Sequence, residues 1–223
     1  QWGTWIYVQD CESGARWSAT CQPIICEPGK GSAELPARDK EVLFYPHMVE
    51  FQRSDNDIIL RTGIIVSTDG VEIRRVNILN NSNRPRRLKF TSYGEVVLAA
   101  QAVDRRHPAL NKMFIESEYL SQENALLFQR RTRSADEETV VLIHAMRIEA
   151  GRKVTGDHES DRAKFLGRLR TMHNPLALQD ANRHLSGTVG GTLDPILSLA
   201  QEINLEPHAK TRVTFLTLAA GSR

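Results

Sequence analysis

The chain has no excess of charge of either sign: 29 lysines and arginines stand against 27 aspartates and glutamates, a formal net charge of +2 over 223 residues. Spread along the sequence, that balance creates no global field for a polyanion, so nucleic acid is excluded as the expected partner. No apolar run approaches the roughly 20 residues that span a bilayer, which argues against direct membrane insertion. The opening Gln1-Trp2-Gly3-Thr4-Trp5 has neither a basic n-region nor a hydrophobic stretch, and no initiator methionine, and it reads as a segment cut from a longer chain. Cysteine is scarce and odd in number. Cys11, Cys21 and Cys26 fit a reducing compartment better than a disulfide framework, and without Cys-x-x-Cys spacing they offer no metal site. Also missing are a His-x-x-x-His pair, a Gly-x-Ser-x-Gly elbow, a fixed-period repeat and any low-complexity tract. No cofactor is implied.

What is present is strand periodicity. In Ile58, Leu60, Thr62, Ile64 and Val66 the even positions are apolar or β-branched, Ser67-Thr68-Asp69-Gly70 supplies hairpin turn chemistry, and Val71 to Leu79 runs back. The phase of that second strand slips between Ile73 and Val76, which predicts either a bulge or burial on both faces. After the Asn80 to Pro85 turn, Leu88, Phe90, Ser92, Gly94, Val96 and Leu98 share one face, so three consecutive antiparallel strands are expected. With 40% hydrophobic and 25% charged residues, the composition is that of one globular domain over residues 1–223.

Elsewhere, Trp5 to Val8 and Arg16 to Ala19 predict a small hairpin, and its tryptophans suit either core packing or stacking on sugar rings. Glu27 to Lys40 reads as an exposed loop, with strands on either side of Pro46 beyond it. Ala99 to Arg106 predicts a helical turn, and Phe114 to Tyr119, Ala125 to Arg131 and Val140 to Ile148 three more strands, the last two separated by Ser134 to Glu138. From Gly151 to Ser186 the alternation fails, save for a brief helix at Ser160 to Leu166 with Ser160 as its cap. Ile196 to Leu205 and Thr211 to Leu218 then predict a closing antiparallel pair. The fold class is all-β, a large antiparallel β-sandwich with short helices.

Chemistry is harder to place. Arg84, Arg86, Arg87 and Lys89, with Arg130, Arg131 and Arg133, form basic clusters that read as solvated strand faces. Ser186 to Thr192 is glycine-rich but lacks the Gly-Lys-Ser/Thr ending of a phosphate loop, and predicts a turn into a strand. Glu116 and Glu118 share a strand face, the one spacing that nominates paired carboxylates. No catalytic residue is assigned.

Several strings are more specific together than apart: Phe44 to Phe51, Val71 to Val76, Asn83 to Arg87, Thr91 to Leu98, His107 to Phe114, Asp161 to Arg168 and Leu185 to Gly190. In this order they resemble the amino-terminal β-sandwich of the glycoside hydrolase family 94 phosphorylase-type module of cyclic β-1,2-glucan synthases. The resemblance implies a supersandwich of the galactose mutarotase-like kind that packs against an (α/α)6 barrel domain of the parent chain, where the catalytic residues reside. It further implies a noncatalytic role with β-glucan oligosaccharide as ligand, on the cytoplasmic side of a parent anchored in the bacterial inner membrane. It identifies no sugar-contacting residue. Gly63 stands where a larger residue is expected and marks a bulge or a close backbone approach. Gly151 to Gly191 is too long for an ordinary connection. Its mixture of apolar and arginine side chains predicts that it faces the barrel, with Arg162, Phe165 and Arg168 as the contact residues.

Overall fold

The computed structural model describes residues 3–24, 38–132, 139–149 and 156–221. Cys26, Trp2, Arg133, most of the Glu27 to Lys40 loop, the Ser134 to Glu138 turn and the start of the irregular segment lie outside them. Among the described residues the elements are β1 (Thr4–Asp10), β2 (Arg16–Ser18), β3 (Arg38–Phe44), β4 (Val49–Asp55), β5 (Ile58–Val66), β6 (Glu72–Asn80) and β7 (Arg86–Glu95). Then follow α1 (Gln101–Arg106), α2 (Pro108–Lys112), β8 (Ile115–Leu120), β9 (Ala125–Arg130), β10 (Val141–Ile148), β11 (Asp157–Asp161), α3 (Arg162–Leu166), β12 (Gly190–Gly191), β13 (Pro195–Leu205) and β14 (Lys210–Ala220). They form a five-stranded sheet, β11-β13-β7-β1-β2, and a nine-stranded sheet, β12-β8-β9-β10-β14-β6-β5-β4-β3. Every pairing within them is antiparallel. The predicted antiparallel sandwich with short helices is what forms.

Alternation explains the core. Ile6, Val8, Trp17, Leu88, Phe90 and Leu199 of the small sheet meet Leu60, Val76, Ile78, Leu126, Phe128 and Phe215 of the large one, all buried. The β5–β6 hairpin runs in unbroken register from Ile58↔Asn80 to Val66↔Glu72, so there is no bulge at Ile73. The apparent slip arises because Arg74, on the inner face, pairs with Glu72 at 2.8 Å and donates to the Thr4 carbonyl of the other sheet at 2.8 Å. A charged pair occupies an inward position there, and Ile73 simply faces out.

Two expectations of strand order fail. β7 does not pair with β6, and β13 does not pair with β14: each crosses to the small sheet, where β7 lies between β13 and β1. Asn80 holds both crossovers. Fully buried, its amide donates to the carbonyls of Arg84, Leu205 and Glu206 at 2.8, 3.2 and 3.0 Å, and its backbone N–H donates to Ala209. A side chain that satisfies the carbonyls of two turns at once lets both leave their sheets without orphaned polar groups. The basic cluster at β7 is likewise not a solvated face, since Arg86 and Lys89 are buried in pairs with Asp10 and Asp157.

His144 is a further polar link between the sheets. Its Nε2 lies 2.9 Å from the Ser92 hydroxyl of β7 and its Nδ1 2.9 Å from the Thr217 hydroxyl of β14. Burial, with a smaller push from the Arg74 charge, lowers its pKa from 6.5 to about 3. The folded chain therefore refuses a proton that the unfolded chain accepts. Stability is fully present above pH 6.5 and is lost as pH falls toward 3. Between pH 7 and pH 4 this one group should remove about 3 kcal/mol. Urea unfolding at the two pH values measures the loss, which should be smaller by that amount in His144→Gln; equal losses would refute the assignment.

Candidate functional site

The outer face of the small sheet is covered by the irregular segment. Along β1, Ile6 and Val8 point to the main core, so Trp5, Tyr7 and Gln9 point away from it, and Trp5 is directly opposite Tyr93 of β7. Two buried carboxylates close the neck of the segment above them. Glu159 accepts from the backbone of Ser160, Asp161 and Ser186 and from the Ser186 hydroxyl, and Asp157 accepts from the Leu185 N–H. Gln9 donates to the Leu178 carbonyl at 3.1 Å and the Tyr7 hydroxyl to the Met172 carbonyl at 3.0 Å.

α3 is capped by Asp161, whose side chain accepts from the Ala163 N–H at 2.8 Å, and not by Ser160, which is buried and bonded to Ser117. The helix ends at Gly167, with φ +79 and Leu176 2.8 Å from where a Cβ would stand, so glycine is required there on both counts. Phe165, expected on a partner-facing surface, is fully buried: its ring lies 6.1 Å from that of Tyr7 and 5.0 Å from that of Tyr93, within a second cluster that includes Ile24, Leu178 and Ile196. Alternation on β1 and β7 leaves these tyrosines facing outward, and they need an apolar cover, which the segment supplies. Arg168 is exposed, and Leu169 is 98% exposed with φ +59.

Beside this second core is a cavity of about 300 Å³, walled by Trp5, Glu95, Arg162, Thr171, His173 and Gln22 among others. Arg162 is the lining residue held by the most polar partners. Its Nε is 3.2 Å from the Tyr93 hydroxyl and 3.5 Å from Glu95, and its Nη1 is 3.5 Å from Asp194, which also pairs with Lys112. Burial works against the Arg162 charge, but the Tyr93 hydroxyl, Asp194 and Glu95 outweigh it and push the pKa further up. Burial first and the Glu95 charge second push the Tyr93 hydroxyl up as well. Neither group exchanges a proton near neutrality. The arrangement supplies fixed donors, a carboxylate acceptor and a half-buried indole, which is what a neutral polyol needs from a binding site.

Other sequence candidates lie apart. Glu116 and Glu118 are exposed on the outer face of β8, with Glu116 paired to Arg131 at 3.2 Å. Within Ser186 to Thr192 the expected strand forms as β12 at Gly190–Gly191, but the residues just before it make no turn. Cys11 is half-buried, with its thiol pushed up to about 11 by burial first and the Glu202 charge second, and Cys21 is exposed. Of the tryptophans, Trp17 is core and Trp5 lines the cavity. Sequence reading missed Glu95 and His173, because the one belongs to a long strand and the other to a segment without periodicity. No helix among the described residues is long and apolar enough to cross a membrane.

The family described as "Glycosyl hydrolase 94, supersandwich domain" matches residues 1–223. The cyclic beta-(1,2)-glucan synthase NdvB of Rhizobium meliloti (strain 1021) is 34% identical over 222 residues, which is 99% of this chain and 8% of that protein. Among solved structures, a polysaccharide lyase aligns over 100% of this chain and 26% of its own at 11% identity and a TM-score of 0.43. A galactose mutarotase related enzyme from Lactobacillus acidophilus aligns over 82% and 71% at 8% identity and a TM-score of 0.42.

Proposed function

Because the chain belongs to the glycosyl hydrolase 94 supersandwich domain family, we propose that it is the noncatalytic, carbohydrate-binding and substrate-positioning domain of a β-glucan-processing enzyme. The observation that carries the reading is the cavity lined by Trp5, Glu95 and Arg162. An indole offers an apolar face to the C–H side of a sugar ring, and a carboxylate and guanidinium fixed by neighbours bond its hydroxyls without being ordered on binding. The parent enzyme would supply catalysis from an (α/α)6 barrel, at the cytoplasmic side of a bacterial inner membrane.

Calorimetric titration of the 223-residue chain with linear and cyclic β-1,2-glucans, against a β-1,4-linked control, tests this. Binding of the β-1,2-glucans is expected, and Trp5→Ala or Glu95→Gln should weaken it about tenfold, or ~1.4 kcal/mol. No heat with either β-1,2-glucan, or full affinity in both variants, would remove the proposal.

A second reading, a structural domain that buttresses the barrel, draws on Leu169. Leu169 is held almost wholly in solvent on a left-handed backbone, so it buries almost nothing against the described residues. In that reading Arg168 and Leu169, on the outside of the covering segment, meet the barrel, and Phe165 serves only as the prop beneath them.

A further inference from the structure

The outer face of the nine-stranded sheet gathers cations from four strands. Strand register places Arg61 of β5, Asn77 of β6 and Arg212 of β14 in one row, with Ile59, Leu79 and Lys210 in the next. These residues line a cleft of about 410 Å³. In the row on the other side, Arg75 stands opposite Gly63, and Thr214 opposite Arg147 of β10. The total charge is only +2, so this concentration is local. No ion pair joins Arg61, Arg75 or Lys210 to another described residue.

We propose that this cleft is a phosphate-binding site, formed by Arg61, Lys210 and Arg212 with the amide of Asn77. The argument rests on the sense of its hydrogen-bonding groups. Asn77 Oδ1 is occupied by Arg212 Nε at 2.8 Å, which turns the amide hydrogens of Asn77 outward as donors beside the Arg61 guanidinium and the Lys210 ammonium. Glu149 is the one carboxylate among the described lining residues, and it is engaged by Arg212 at 3.7 Å. A neutral sugar requires acceptors as well as donors. A cleft of donors and positive charges is complementary to a ligand that only accepts, and three cations around one amide suit a dianionic phosphate better than a single carboxylate.

Gly63 supports this independently. A glycine inside a strand costs roughly 0.5–1 kcal/mol against alanine, yet Gly63 has no left-handed φ, its pairings with Glu50 and Arg75 are regular, and an added Cβ would meet nothing within 4 Å. Neither a bulge nor a close approach among the described residues explains it. Bare backbone at Gly63, between Glu50 and Arg75 in the row next to Arg61, leaves that part of the sheet surface uncovered.

The site is independent of the sugar cavity, and calorimetry separates the two. The chain is titrated with inorganic phosphate, glucose 1-phosphate, glucose and a hexaglutamate peptide, at low and at physiological ionic strength. Phosphate and glucose 1-phosphate should bind, more weakly in salt, and the exposed double variant Arg61→Gln/Lys210→Gln should lose about tenfold or more in affinity with an unchanged melting temperature. Trp5→Ala should leave phosphate binding intact. Tighter binding of glucose 1-phosphate identifies a phosphate ester as the ligand, and equal binding identifies free phosphate. Failure of both phosphates to bind, or affinity unchanged in the double variant, overturns the proposal, the second outcome meaning an adventitious ion only. Glucose bound as well as its phosphate, or hexaglutamate bound in place of either phosphate, overturns it in favour of a neutral sugar or an acidic protein surface.

Discussion

Phe165→Asp is expected to abolish cooperative unfolding of the chain, or to destabilise it by more than about 4 kcal/mol. Truncating a buried phenylalanine to alanine already costs about 3–5 kcal/mol. The aspartate adds a charge in an apolar cluster with Ile24, Leu178 and Ile196, against the rings of Tyr7 and Tyr93, where a carboxylate loses its hydration. Against a usual domain stability of about 5–15 kcal/mol, little remains. Phe165→Leu, which keeps most of the volume, should cost under about 2 kcal/mol. Urea denaturation followed by far-ultraviolet circular dichroism reads both variants. An aspartate variant within about 1 kcal/mol of the parent would show that Phe165 is dispensable to the fold, as a residue reserved for an external contact would be.

The second large effect is Asp10→Asn. Arg86 and Asp10 are each 1% exposed and 2.7 Å apart, and the other arm of Arg86 reaches the Asn56 carbonyl in the β4–β5 turn of the opposite sheet at 2.6 Å. Burial alone would raise the Asp10 pKa, but the Glu12 N–H, the Ser13 hydroxyl and Arg86 together hold it below the ordinary value. Removing its charge strands a buried guanidinium, which typically costs about 3–5 kcal/mol. Asp10→Asn/Arg86→Met should recover part of that loss, since an apolar replacement of a whole buried pair is often nearly neutral. A single variant that unfolds at the parent's urea midpoint would contradict the pairing. Arg53 makes a matching link at the same edge: it pairs with Asp55 at 2.5 Å and donates across to the carbonyls of Ser18 and Thr20.

Much of this was legible in the residues. The β5–β6 hairpin is written in the alternation of Ile58 to Thr62 and the Asp69-Gly70 turn, and the β1–β2 pair in Trp5 to Ala19. What alternation cannot encode is the sheet to which a strand belongs: Leu88 and Phe90 would face a core from either side. The departure of β7 and β13 depends on Asn80, and one asparagine in a run of turn residues looks like any other. The role of Phe165 was hidden for a related reason. Amphipathic irregular segments look alike whether they meet their own sheet or a partner, and only the outward-facing tyrosines decide the matter. The cations of the outer face escaped notice because they are divided between the β5–β6 hairpin and the later strands β10 and β14, although the phase that buries Leu60 and Val76 already points Arg61, Arg75 and Asn77 the opposite way.

The position of β14 has a consequence for the order of assembly. It lies between β10 and β6, with β12, β8 and β9 beyond the one and β5, β4 and β3 beyond the other. Until Lys210 to Ala220 are synthesised, the large sheet is two separate ribbons with facing open edges, and β13, next to β7 in the small sheet, arrives only a few residues sooner. A nascent chain on the ribosome therefore carries the open edges of β10 and β6 until β14 emerges, and those edges must be kept from self-association for that whole interval.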